Sequence, residues 1–504
     1  MSVLDWIVLA LYFLLMIAIG IWSHRQVHNT SDYFTAGGKM SWWLAGISHH
    51  MSGYSAAVFV GYAAIAYTYG FTLYVWWAFA ISVAVIAGAF IIAPRWSRLR
   101  QRLHVISPMQ YLATRYNVPT QQLLAWSGTL LKVFDVGAKW SAVAIILNVY
   151  TGLPIAVGIL LSGGASLIYV TVGGLWADAL TDLAQFIVQL VAGILLFVIV
   201  LLKLGGITAL GSMWDRLPAS HHGFFNGPYT LWFVLAYLLI NFLSYNGGTW
   251  NLAQRFIAVP SGPQARKAAI LSAVLYLIWP IILFYPMWAA PLFFPHLSDP
   301  SQAYAIMSRS LLPPGLMGFV LAGMFAHTMA MTSSDANAIS AVVTGDILPY
   351  LSRKLRNLSG EGSLRAARIV TIIFTILSMV IALEADLFGG VIGLLVTWFA
   401  ALVGPISIPM LLGLLPAFRR SGSTAAIVSW AAGILAFAVI KYGFTNDVAA
   451  TVGLPVLISL VLYVGIGLLY NRANPQTDAL VDSLSSEPKE EQIEKTGLVE
   501  ASEL

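Results

Sequence analysis

The sequence predicts an all-α, polytopic membrane protein with about 13 transmembrane helices, two of them broken near their centres. Composition is the first reason: 59% of the 504 residues are hydrophobic and only 9% are charged, where a soluble chain would carry about 25% charged residues. The second is the length of the uncharged runs, among them Trp6–Trp22, Met40–Pro94, Leu183–Leu202 and Ala268–Ser298. A helix needs about 20 apolar residues to cross a bilayer, and such runs hold one or two crossings each. The third is a pair of interruptions, Gly46-Ile47-Ser48-His49-His50-Met51-Ser52-Gly53-Tyr54-Ser55 and Asn241-Phe242-Leu243-Ser244-Tyr245-Asn246-Gly247-Gly248-Thr249-Trp250, at matching places in the two halves. A helix in lipid must satisfy its own backbone, so a broken one belongs where it lines a protein-walled cavity. Two such breaks in corresponding positions point to the binding site of a secondary transporter.

The spans fall near 4–22, 41–66, 72–94, 119–149, 153–171, 179–202, 229–254, 267–294, 313–346, 366–384, 387–416, 423–441 and 449–471. The first has no basic leader and no small-residue cleavage site, so it reads as a retained span. Strands of an outer-membrane barrel are short and alternating, unlike these runs. With the N-terminus outside, the cytoplasmic loops and their edges hold 18 Lys and Arg residues, Arg25 through Arg472 and including Arg115 and Arg255, against Lys203, Arg216, Arg309 and Lys441 outside. That asymmetry places the C-terminus in the cytoplasm of a cell (inner) membrane protein. The tail 473–504 is polar and mostly acidic and reads as disordered. The absence of cysteine excludes disulfides, thiolate metal sites and cysteine nucleophiles. The net charge of +5 belongs to the loops and implies no nucleic-acid partner.

From Asp32-Tyr33-Phe34 to the end of the last span the chain resembles the sodium/solute symporter family. The most specific stretch is Gly152 to Ala177, ending Tyr169-Val170-Thr171-Val172-Gly173-Gly174-Leu175-Trp176-Ala177. Thr181-Asp182-Leu183-Ala184-Gln185, Gln254-Arg255, Asn337, Gly345-Asp346-Ile347 and the run Pro405–Leu414 also fit. The resemblance implies a five-plus-five inverted-repeat core with repeats at about 41–202 and 229–416. A leading helix and loop (1–40), an external loop (203–228), two C-terminal helices (417–472) and the tail complete the chain. It also implies alternating access driven by an ion gradient, with sodium as the coupling ion and no other cofactor.

Charges at bilayer depth are costly and usually functional. Asp135 and Lys139 lie four apart on one helical face and can pair, either as a structural pair or beside a solute. The resemblance gives Asp182, with Ser333 and Ser334, the role of a second sodium site; read locally, Asp182 is an interfacial cap. At the family's general sodium site the resemblance places Met51 and Tyr54, but Ala330 and Met331 stand where the eighth core helix would supply hydroxyl ligands. Thioether is a poor sodium ligand. His327, Ala330, Met331, Ser334 and Asp335 share one helical face. Imidazole changes charge near neutral pH, so a protonatable His327 coupled to Asp182 or Asp335 is one reading and a neutral core histidine the other. His49 and His50, adjacent on a helix, point apart and argue against a joint metal site; no metal beyond sodium is expected.

Candidate solute contacts are His50, Ser52, Ser55, Trp76, Trp77, Lys139, Asn246, Thr249, Trp250 and Trp398. Sialic acid carriers of the family place an arginine where this chain has Ala138, and Lys139 is one position off that register. Sugar-transporting members have Asn or Asp followed by Gln where Thr249 and Trp250 stand. A small-molecule pocket is mostly apolar with a few placed polar groups, and aromatic faces suit a sugar ring; the same tryptophans also suit helix packing and interfacial belts. The expectation is a cation-coupled importer of a small organic solute, sugars or sugar derivatives first and small organic acids next. Proton coupling through His327 and Asp182 is the alternative. A sensor lacks an output domain in this chain, and an enzyme lacks an HExxH motif or a cysteine. The partners are a small solute and the lipid bilayer; a monomer fits, and the sequence leaves the oligomeric state open.

Overall fold

The computed structural model describes residues 1–358, 360–391, 394, 401, 403–444, 448–470 and 474–488. Apart from one isolated β-bridge, Asn226 to Tyr229, the described residues are helices and their connections. Among them, nine helices are long and apolar enough to cross a membrane, and two shorter apolar helices, Val58–Tyr69 and Ile155–Ile168, accompany them.

Helix α1 (Val3–Ser23) opens with a capping box between Ser2 and Asp5. Asp5 also caps a second helix: its Oδ1 accepts the backbone N–H groups of Gly315 and Gly318 at 2.7 and 2.8 Å. One buried carboxylate thus satisfies orphan amides of two helix ends and docks α1 against the start of the long central helix. Next come α2 (Trp42–Met51), α3 (Val58–Tyr69), α4 (Tyr74–Ile91) and α5 (Ala93–Leu103). Then follow α6 (Val118–Thr151) and α7 (Ile155–Leu204).

The two spans expected at 153–171 and 179–202 are two helices that follow each other across a sharp kink at Gly174 (φ 54°, ψ −144°) and are numbered together as α7. A Cβ there would also lie 2.5 Å from the Tyr33 carbonyl oxygen. Backbone geometry and close approach together require glycine.

The second half begins with α8 (Leu231–Leu243) and α9 (Asn251–Ile257). It continues with α10 (Gly262–Phe293), α11 (Leu316–Val342) and α12 (Gly360–Leu383). Helices α13 (Gly404–Leu412), α14 (Ser423–Val439) and α15 (Val448–Tyr470) end the membrane region. Helix α11 is buried along nearly its whole length and packs against α1, α6 and α7. Its polar residues Ser333, Ser334, Asp335 and Asn337 therefore lie inside the protein, not against lipid. The exposed large side chains, such as Leu11, Leu14, Leu161, Ile187 and Ile373, are apolar, as a lipid-facing exterior requires.

The tail differs from the expectation of disorder over 473–504. Residues Pro475–Ser483 form α16, capped by Asn474. Leu480, Val481 and Leu484 are buried, and Asp478, Asp482 and Glu487 pair with Arg420, Arg419 and Arg98. A short apolar stripe within the acidic segment meets a basic surface, which outweighs the local composition. Residues 489–504 lie outside the described residues.

Candidate functional site

Both sequence interruptions are breaks in helices. Helix α2 ends at Met51, and the chain is non-helical from Gly53 to Ser55 before α3. Between α8 and α9, Gly247 takes φ 122° and Trp250 takes φ 66°. The breaks face each other, and the second break and α10 satisfy carbonyls freed at the first. Tyr245 Oη donates to the Gly53 oxygen at 2.8 Å, Asn251 Nδ2 to the Ser52 oxygen at 3.0 Å, and Tyr276 Oη to the His50 oxygen at 3.0 Å. Irregular backbone at membrane depth is tolerated only with such internal partners.

Below the α2 break lies a buried ionic cluster. Arg255, on α9, is completely enclosed and pairs with both Asp178 and Asp182 of α7, the latter at 3.4 Å. Its guanidinium also donates to Ser48 Oγ and Ser52 Oγ, each at 3.0 Å, and to Ser334 Oγ. Ser48 Oγ donates to Asp182 Oδ2 at 2.5 Å and Ser52 Oγ at 3.3 Å. Ser333 and Ser334 donate to Asp178, not to Asp182, at 2.5 and 2.8 Å; Ser334 is linked to Asp182 through Ser52, Oγ to Oγ 2.8 Å, and through Arg255. Arg255, counted above among loop charges, is thus a core residue. Two carboxylates face one guanidinium, and Asp182 Oδ1 is buried with no hydrogen-bond partner. One negative charge is left uncompensated in the cluster, a costly state that a bound cation or proton would relieve.

A second cluster joins α6 to α11. Lys132 reaches Asp135 at 3.0 Å and Asp335 at 2.5 Å, and Lys139 reaches Asp135 at 2.7 Å and also Asp335. The expected Asp135–Lys139 pair is present, as half of a buried quartet with balanced charge.

A cavity of about 60 Å³ lies between the breaks, lined by Tyr54, Ser55, Tyr62, Trp77, Lys139 and Thr249 among others. Asp135, Ser244, Tyr245 and Met331 also face it. Of the expected solute contacts, Ser55, Trp77, Lys139 and Thr249 line this cavity, and Tyr54, assigned to the sodium position, lines it with them. Trp76 points elsewhere, stacked on Tyr229 with ring centroids 5.5 Å apart. Asn246 is spent on the backbone: its Nδ2 donates to the Ala84 and Phe242 oxygens at 3.1 and 2.8 Å. Trp250 wedges against Gly128, where any Cβ would collide with its ring. Ser52 belongs to the ionic cluster, and His50 shares a 3.1 Å hydrogen bond with Tyr54 Oη. His49 turns the other way, to Ser272 Oγ and the Tyr245 oxygen. Trp398 lies outside the described residues.

A model of the sodium:solute symporter family matches residues 33–433. The chain belongs to that family. A sodium/sialic acid symporter of Proteus mirabilis is 26% identical over 469 residues, 87% of this chain and 90% of its own length. The human sodium/iodide cotransporter is 27% identical over 449 residues, 84% of this chain and 68% of its own. Among solved structures, a substrate-bound, outward-open sodium-coupled sialic acid symporter aligns with a TM-score of 0.80 at 22% identity, covering 94% of this chain and 99% of that one. A closed nucleobase-cation-symport-1 family transporter aligns with a TM-score of 0.56 at 14% identity, covering 90% and 98%. These likenesses show the fold: a multi-pass membrane protein with a five-plus-five inverted-repeat core and broken first and sixth core helices.

At the general sodium position that the symporter resemblance assigns to Met51 and Tyr54, Met51 sits in an apolar cluster and the Tyr54 hydroxyl is bonded to His50 and Gln189. Met51, Ala330 and Phe186 form one buried cluster, with Ile47, Leu190 and Leu275 around it. The His327 ring packs at a tilt against Tyr54, 4.4 Å between centroids, and against Phe59 at 5.3 Å. Neither of its ring nitrogens has a hydrogen-bond partner, and Asp182 and Asp335 are each engaged elsewhere. Sequence reasoning missed Asp178, Ser48, Arg255 and Lys132 as site residues. The signal was present for two of them, because Asp178 precedes Asp182 by four and Lys132 precedes Asp135 by three, spacings that share a helical face.

Proposed function

We propose that this symporter-family chain is a secondary active transporter, not an enzyme, that uses a cation gradient to import a small organic solute. Sodium is the coupling ion of this reading. The observation that carries it is the excess carboxylate of the Asp178–Asp182–Arg255 cluster, with Asp182 Oδ1 unpartnered among the hydroxyls of Ser48, Ser52 and Ser334. Carboxylate and hydroxyl oxygens suit a hard cation, and Asp182 with Ser48, Ser52, Ser333 and Ser334 would hold it. Bound there, the ion would neutralise the excess charge and tie α2 to α7 and α11, so ion occupancy and the position of the broken helix are linked.

The solute would sit between the breaks, against Tyr54, Tyr62, Trp77 and Tyr245, with Ser55, Ser244, Thr249 and Lys139 as its polar contacts. Aromatic faces beside hydroxyls favour a sugar or sugar derivative, and the sialic acid symporters among the relatives support that class. A cavity of about 60 Å³ is far below the roughly 300 Å³ of a ligand pocket, so a sugar-sized solute requires α2 and α8 to move apart. The distribution of Lys and Arg supports an N-terminus outside and a cytoplasmic C-terminus. Proton coupling through His327 is the second reading, favoured by its two unpartnered ring nitrogens. Uptake of a mixed solute panel into proteoliposomes under a sodium or a proton gradient tests both: solute accumulation driven by sodium supports the first reading, and accumulation driven by protons alone replaces it with the second.

A further inference from the structure

On the basic face, away from the solute cavity, a second cavity of about 460 Å³ lies beneath α14, α15 and the tail. Arg115, Arg419 and Arg420 line it, together with Ser423, Thr424, Ile466, Tyr470 and Thr477. Arg115 is 1% exposed. Its guanidinium donates to the Gly413 and Phe418 carbonyl oxygens, both at 2.8 Å, and lies 4.5 Å from the Tyr116 ring centroid. No carboxylate among the described residues forms an ion pair with it. Arg419 and Arg420 keep about a third of their side chains exposed and share Asp478 and Asp482. Among the described residues three guanidinium groups therefore face two carboxylates, and the enclosed one has Asp478 nearby but forms no ion pair with it. The same cavity receives the amino end of α14, whose Ncap Gly422 provides no side-chain cap. The first amides of a helix are orphan donors with a partial positive charge.

We propose that this cavity binds a phosphate-bearing anion, either the headgroup of an anionic phospholipid or free inorganic phosphate. The guanidinium fork matches phosphate oxygens in pairs, and an uncapped helix amino end with Ser and Thr in its first turn is a ready anion seat. Ile466 and Tyr470 form the apolar wall, and the neighbouring Leu468 and Leu469 are 75% and 83% exposed, so an acyl chain has a surface to follow out of the cavity. Basic pockets between transmembrane helices hold lipid headgroups in this way. The ligand would neutralise Arg115 and add a contact between α14 and the short helix Leu112–Arg115.

The test is thermal unfolding of the purified full-length protein, titrated with phosphatidylglycerol or phosphatidylcholine in mixed micelles, and separately with sodium phosphate against sodium chloride at matched ionic strength. Phosphatidylglycerol is expected to raise the unfolding temperature, with a midpoint shifted upward roughly tenfold in R419Q/R420Q and unchanged in R353Q/K354Q, which alters basic residues elsewhere on that face. S423D, which places a carboxylate in the seat and leaves every arginine, is expected to lose the response as well. Protection by sodium phosphate alone, lost in the same variants, assigns the site to free phosphate; protection by the lipid alone assigns it to a headgroup. A wild type protected by neither, or an R419Q/R420Q protein that responds like the wild type, overturns the proposal.

Discussion

Tyr245 donates its phenolic hydrogen to the carbonyl oxygen of Gly53 at 2.8 Å, and its own carbonyl oxygen bonds His49 Nε2 at 2.9 Å, so each broken helix closes a backbone gap in the other. The ring also packs on Tyr276, centroids 5.3 Å apart, and Tyr276 in turn occupies the space beside Gly53 that a Cβ would need. Tyr245→Phe keeps the ring and leaves a buried carbonyl unpaired. The expected cost is about 1–3 kcal/mol of stability, read as a lower unfolding temperature, with reduced uptake rate. An unchanged unfolding temperature would show that the two breaks are not held by this bond. Gly53→Ala is expected to fail more severely, because Tyr276 cannot move without releasing the His50 carbonyl.

Trp76 and Trp77 are neighbours in sequence and face opposite ways. Trp77 lines the solute cavity, whereas Trp76 is sandwiched among Tyr229, Phe233 and Tyr237. Trp77→Leu is expected to raise the apparent KM for solute by about three- to tenfold, and Trp76→Leu to leave KM unchanged while lowering thermal stability. Equal effects on KM would remove Trp77 from the solute site.

The quartet of Lys132, Asp135, Lys139 and Asp335 has balanced charge, so breaking it asymmetrically leaves a bare ion. Lys139→Met is expected to cost about 3–5 kcal/mol. Lys139→Met combined with Asp135→Leu leaves the Lys132–Asp335 pair intact, and stability is expected to return in large part. A double variant no better than the single one would contradict a charge-balance role. Transport by the refolded double variant then reports whether Lys139 also touches the solute.

Gly174 sets the bend of α7 that brings Asp178 and Asp182 under α2. Gly174→Ala forces a side chain into positive φ and against the Tyr33 carbonyl. We expect a destabilisation of about 1–3 kcal/mol, checked by thermal unfolding, and weaker sodium dependence of uptake.

Much of this arrangement is legible in the chain because lipid imposes strong rules. Gly53, Gly247 and Gly248 within apolar runs announce the breaks, and the spacing of Asp135 and Lys139 announces a pair. What is not legible arises from contacts across the fold. Asp335 lies about 200 residues from Lys132 and meets it only because α6 packs on α11. Arg255 sits at the end of a span and reads as a loop charge, yet α9 tilts it into the core beneath Ser48 and Ser52. Asn246 and Trp250 are polar or aromatic at a break, the usual sign of a ligand contact, but the break itself consumes them: Asn246 caps carbonyls and Trp250 fills the space opposite Gly128. The helical tail is hidden by its acidic composition, because its docking depends on Arg98, Arg419 and Arg420.

The most direct measurement is the sodium dependence of solute counterflow in proteoliposomes carrying the wild type, Asp182→Asn or His327→Gln. An excess carboxylate that holds the coupling ion predicts sodium-dependent counterflow in the wild type and in His327→Gln, with that dependence lost in Asp182→Asn. Sodium activation retained in Asp182→Asn, or a wild type indifferent to sodium whose proton dependence disappears in His327→Gln, would contradict it.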